Sequence, residues 1–138
     1  MEKEDKSAFL ICKVRGAPQE EIDYLNRYVA ELESKGYRVY YPPRDTNQED
    51  PTGGHQILLD NLAGMRNCRE IHIKWNPTSQ GSYFDLGLAF PEHTTKGKPI
   101  RLVNRDEIEK LVEEQRKKNI PKSFEQVLLL LDSKSRES

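Results

Sequence analysis

The sequence predicts a three-layer α/β domain, with a parallel sheet of about four or five strands and helices on both faces. Two observations carry this. Short apolar and β-branched runs alternate with segments of helical period, the order that parallel strands joined by helices require. The first of these runs is apolar throughout, as a strand buried on both faces should be.

Taken in order, Ala8–Val14 reads as the first strand, followed by the turn Arg15-Gly16-Ala17-Pro18. Pro18 suits the first position of a helix, where its missing N–H costs nothing. Ile22, Leu25, Tyr28, Val29 and Leu32 recur at helical spacing, and Gly36 is placed to cap them. Tyr37–Tyr41 is a second strand, stopped by Pro42-Pro43. Arg44–Gly54 reads as a polar loop, and Leu58, Leu62 and Met65 mark the next helix. Ile71–Trp75 is a third strand that leaves through the turn Asn76-Pro77-Thr78. Tyr83–Phe90 is apolar nearly all round, which predicts a central, buried helix ended at Gly97. Pro99–Val103 is a fourth strand, and Ile108, Leu111 and Val112 give an amphipathic helix. Ser123 and Gln126 form a capping box ahead of Phe124, Val127, Leu128 and Leu131. Residues 8–132 thus make one domain, with polar, flexible tails at 1–7 and 133–138.

Composition narrows the class of function. The chain has 138 residues, enough for one domain with a real core. Its 22 basic residues are balanced by 23 acidic ones, which argues against a nucleic-acid polymer as partner and leaves a small anionic ligand open. Cys12 and Cys68 are far apart, and His55, His72 and His93 form no ligand pattern, so no metal site is expected. Cys12 lies in an apolar run and reads as a small buried hydrophobe in a reducing compartment. The start is charged without an apolar segment behind it, and no run reaches membrane-spanning length. The expectation is a cytoplasmic protein without a membrane partner.

In parallel sheets ligands bind beyond the carboxyl ends of the strands. Three loops converge there: Lys13–Gly16, Pro42–Gly54 and Asn76–Gly81. Ser79 and Ser82 can cap a helix, and Gly81 lets backbone N–H groups approach a bound group, so this helix start suits an anion. Asp85 follows one turn later in an apolar stretch. A carboxylate there is costly unless it caps, pairs with Arg15 or Lys13, or takes part in chemistry. Arg44 and Asp45 border the long loop, either lining a base pocket or solvated. Trp75 is either a core aromatic or a stacking platform.

Four motifs resemble the nucleoside 2-deoxyribosyltransferase superfamily, and most of all its 2'-deoxynucleoside 5'-phosphate N-hydrolase branch. Lys13-Val14-Arg15-Gly16 resembles the phosphate loop after the first strand, with Lys13 in place of a small residue. Asp60 matches an acidic residue that assists the leaving base, and Ser79-x-Gly81 matches the Ser-x-Gly of the nucleotide-specific members. Asp85-Leu86-Gly87-x-Ala89 matches Glu-Leu-Gly-x-Ala, whose glutamate is the nucleophile; the aspartate here is shorter by one methylene.

The resemblance implies a flavodoxin- or Rossmann-like fold and cleavage of the N-glycosidic bond of a (deoxy)nucleoside 5'-monophosphate, by hydrolysis or base transfer. Asp85 and Asp60 would be the catalytic pair. Lys13, Arg15, Gly16, Ser79, Gly81 and Arg44 would bind the substrate, without a cofactor. It also implies a homodimer or higher homo-oligomer. The competing class is a nucleotide-binding or sensing module that keeps the site without turnover.

Overall fold

In the computed structural model, which describes residues 5–137, four strands form one all-parallel sheet. They are β1 (Ser7–Ile11), β2 (Arg38–Tyr40), β3 (Glu70–Ile73) and β4 (Ile100–Leu102), in the spatial order β2-β1-β3-β4. Phe9 of β1 stands beside Tyr40 on one side and Ile71 on the other, and Ile73 faces Leu102. This is the strand order of flavodoxin-like sheets. The chain leaves β1 toward one edge and returns from β2 to the other side of β1, so a crevice opens between the carboxyl ends of β1 and β3.

Among the described residues six helices surround the sheet: α1 (Gln19–Ser34), α2 (Pro42–Asp45), α3 (His55–Arg66), α4 (Gln80–Lys96), α5 (Arg105–Lys117) and α6 (Phe124–Glu137). Alternate strand residues point to opposite faces and nucleate two cores. Leu10, Cys12 and Val39 pack under Leu25 and Val29 of α1. Phe9, Ile11, Ile71, Ile73 and Ile100 pack on the other face with Met65, Leu86, Ala89, Ile108 and Leu128 from α3, α4, α5 and α6. These are the three layers that the alternation of strands and helices predicts.

Several boundaries shift for local reasons. β1 ends at Ile11 instead of Val14, which frees Cys12–Val14 to line the crevice. Ser7, read as tail, is the first strand residue and takes the Arg69 N–H on its Oγ. Pro18 stands just outside α1 in extended conformation (ψ 153°), not inside its first turn. Gly36 has φ 92°, and the Gly36 and Tyr37 N–H groups return to the Glu33 and Leu32 carbonyls, closing α1 with a Schellman motif. The proline pair that stops β2 also starts a short helix, so Arg44 and Asp45 belong to α2, not to a loop.

The largest departure is at the carboxyl end. Residues 133–137 continue α6 and are docked, not frayed. β4 is an edge strand, and α6 closes that edge with side chains. Asp132 Oδ1 accepts the Leu102 N–H at 2.7 Å, and Ser135 Oγ accepts the Ile100 N–H at 2.9 Å. Asp132 is fully buried and also holds Arg105 and Arg136 at 2.6 and 2.8 Å. Residues 1–4 and 138 of the expected tails lie outside the described residues.

Candidate active site

A cleft of about 830 Å³ lies at the crevice, between the loop after β1, the segment 48–58 and the start of α4. Lys13, Arg15, Ser79, Gly81 and Asp85 all line it, so the structure gathers five of the residues singled out in the sequence. Each is placed by an element end.

Ser79 is the N-cap of α4: its Oγ accepts the Ser82 N–H at 3.2 Å and the Ser82 hydroxyl at 2.8 Å. With both lone pairs occupied, the Ser79 hydroxyl keeps only its proton to offer a ligand. The first amides of a helix have no partner within it, and the helix dipole makes that end favourable for negative charge. Gly81 has open space where a side chain would begin, so a bound group can approach the backbone. From the facing loop, Lys13 Nζ donates to Thr78 Oγ1 at 2.8 Å and so ties the two loops together. Arg15 is exposed and has no protein partner among the described residues. One helix start, one donor hydroxyl and two cations therefore converge on the same space.

Asp85 lies one turn further along α4 and is only 8 % exposed. Among the described residues no hydrogen bond or ion pair holds it, and the alternatives of a cap or a pair with Lys13 or Arg15 are not realised. Burial alone pushes its carboxyl up to about 6. A buried carboxylate is normally paired or hydrogen-bonded. One left open on a cleft wall is poised to act on a ligand. Cys12 lines the cleft beside it, its thiol pushed up to about 12, first by burial and then by the charges of Glu21 and Asp85. It is therefore a protonated wall residue, not a nucleophile.

Three expected residues are elsewhere. Asp60 does not line the cleft; it shares a flank of α3 with Gln56, whose Nε2 donates to Asp60 Oδ1 at 2.8 Å. Gly64, one turn further along, lies against the Tyr40 ring on β2. Arg44 is spent on structure: Asp45 at 2.9 Å, Glu33 at 3.2 Å and the Val39 carbonyl at 3.0 Å. Gly16 (φ 71°) makes the turn of the loop and is not on the cleft wall. Trp75 is a core residue, its Nε1 donating to Glu125 Oε2 at 2.6 Å between Tyr83 and Phe124.

The position on α3 that faces the cleft is Asn61, which sequence reasoning passed over. Tyr40 OH donates to Thr46 Oγ1 at 2.6 Å, and Thr46 Oγ1 donates to Asn61 Oδ1 at 2.7 Å. Asn61 Oδ1 is thus taken, and its Nδ2 is left to donate into the cleft. His55, at the start of α3, also lines the cleft, next to Gly53 and Gly54 with φ 77° and 111°. No group of three or more metal-ligating side chains occurs among the described residues.

A second concavity of about 750 Å³ lies on the α1 side of the carboxyl end, lined among others by Glu21, Lys74 and Arg105. Some of its charges are closed into pairs, Lys74–Glu21 at 2.6 Å and Arg105–Asp132 at 2.6 Å. The cleft at Asp85 is the one at the topological switch of the sheet. No known protein family, characterised protein or solved structure matches this chain. No described helix is long and apolar enough to cross a membrane.

Proposed function

We propose that this protein cleaves the N-glycosidic bond of a nucleoside 5'-monophosphate, with Asp85 as the nucleophile. The observation that carries the reading is the buried, unpartnered Asp85 carboxylate one helical turn from an open anion site. The 5'-phosphate lies against the first amides of α4, the Ser79 hydroxyl, Lys13 and Arg15, which together supply charge-assisted hydrogen bonds. A sugar anchored there reaches over Asp85. An Oδ atom attacks the anomeric carbon as the bond to the base breaks, and water then hydrolyses the glycosyl-enzyme, the sequence used by retaining glycosidases. The motif resemblance points the same way.

A carboxylate pushed up to about 6 remains ionised at neutral pH, as a nucleophile must, while its missing solvation makes it reactive. The competing reading, a binding module without turnover, is favoured by the short reach of aspartate.

A second copy of the chain is the partner this reading implies. Leu58 lines the cleft and is exposed, as are Leu59 beside it on α3 and Phe84 on α4, the last 48 % exposed. A second copy seated there would roof the cleft.

The test is direct. The protein is incubated with a panel of nucleoside and deoxynucleoside 5'-monophosphates, and free base is followed by chromatography. Base is expected from the parent and none from Asp85→Ala. Tight binding of the monophosphates without base release would establish the binding module instead.

A further inference from the structure

We infer that His55 is the acid that protonates the departing base; this rests on the reading just given. A nucleobase leaves poorly as an anion, so the site needs a proton donor on the base side. The resemblance assigned that work to Asp60, which does not line the cleft and is bonded to Gln56, and Asn61 beside it carries no dissociable proton. The cleft wall holds five side chains with protons to consider: Cys12, Lys13, Arg15, His55 and Asp85. Asp85 is the nucleophile. Cys12 is buried and holds its proton far above neutrality. Lys13 and Arg15 stand on the loop that holds the phosphate in this reading, away from the base.

His55 remains, and imidazole is the side chain that exchanges a proton most readily between pH 5 and 8. Its place agrees. With phosphate at the start of α4 and sugar over Asp85, the wall left for the base is Gln48, Thr52–His55, Ile57 and Asn61. His55 is exposed and has no protein partner among the described residues, so no structural bond competes for its ring nitrogens.

Asp85 Oδ forms the bond to C1' with its own electron pair, and the C1'–N pair departs with the base. A ring N–H of His55 gives its proton to a base nitrogen, so the base leaves neutral. Water then adds hydroxide to C1', returns its other proton to His55, and frees Asp85 and the sugar phosphate.

The probes are 2'-deoxyguanosine 5'-monophosphate and its 7-methyl derivative, whose base departs neutral without a proton from the enzyme. His55→Gln should lose at least a hundredfold in base release from the first, since general acids contribute about 10²–10⁴. It should stay within about threefold of the parent on the second. Equal loss on both substrates, or loss on neither, would overturn the assignment. So would a parent that cleaves only the methylated nucleotide, because the site would then contain no acid. A parent inactive on both is a different outcome: the glycosidase reading falls, and the role of His55 with it. A urea midpoint equal to the parent's verifies that the variant folds.

Discussion

Replacing Asp85 with asparagine should make the protein more stable while destroying its activity, and the size of the gain follows from the site. Burial raises the carboxyl from 3.8 to about 6, which corresponds to about 3 kcal/mol at 1.36 kcal/mol per tenfold change in proton affinity. The sign follows from where the proton sits. Below about pH 3 Asp85 is protonated in both folded and unfolded chains, so its charge costs nothing. Between about pH 4 and 6 the unfolded chain releases the proton first, and stability falls as pH rises. Above about pH 7 the folded chain carries the whole cost. Asparagine imitates the neutral acid at every pH. Urea unfolding of parent and Asp85→Asn should therefore coincide near about pH 3 and separate by about 2–3 kcal/mol at pH 8, the variant being the more stable. That is a large share of the roughly 5–15 kcal/mol that holds a domain together. A constant gap across this range, or a less stable variant at pH 8, would show that Asp85 is not a desolvated charge.

Other consequences are open to measurement. Ser79→Asp keeps an N-cap residue, so the fold should persist. Calorimetry should nonetheless show at least a tenfold loss in affinity for a nucleoside 5'-monophosphate, about 1.4 kcal/mol, with nucleoside affinity unchanged. Asp132→Ala strips the acceptor from the Leu102 N–H and the partner from Arg105 and Arg136, and should lower unfolding free energy by about 3–5 kcal/mol at pH 7. Burial opposes the Asp132 charge, but that N–H and the two guanidinium groups outweigh it and hold the carboxyl below the usual range. Its contribution should accordingly fade as the pH drops below about 4. Phe84→Glu should leave a stable monomer in light scattering if the α3–α4 face joins two copies; an unchanged assembly would place the interface elsewhere.

The fold was legible because its signals are local. Ala8–Ile11 has no polar residue, and Gly36 and Gly97 close two helices with φ 92° and 71°. That Ser79, Gly81 and Asp85 share one cleft was legible for the same reason, since they lie within two turns of one helix. The misreadings involve distant partners. The polar composition of 133–137 gives no hint that Asp132 and Ser135 take the edge N–H groups of a strand some 30 residues earlier. Tyr83–Phe90 was read as buried all round. A four-stranded sheet leaves part of α4 uncovered, and Phe84 and Phe90 are half exposed. Asp60 and Asn61 are neighbours in the chain, about 100° apart around the helix, and α3 mixes polar and apolar residues on both flanks. Only the packing of Gly64 on Tyr40 and the Thr46–Asn61 bond fix which side faces the cleft. Arg44 could not be placed from sequence because Glu33 and the Val39 carbonyl reach it through the fold.

The most direct test of the account is to trap the covalent step. The protein is mixed with a 2'-deoxy-2'-fluoro nucleoside 5'-monophosphate, whose fluorine slows hydrolysis of the glycosyl-enzyme, then quenched in acid and analysed by intact and peptide mass spectrometry. The account predicts a sugar-phosphate adduct on the peptide that contains Asp85, formed together with one equivalent of free base and absent from Asp85→Ala. Base release with no adduct, or an adduct on any other residue, would contradict Asp85 as the nucleophile.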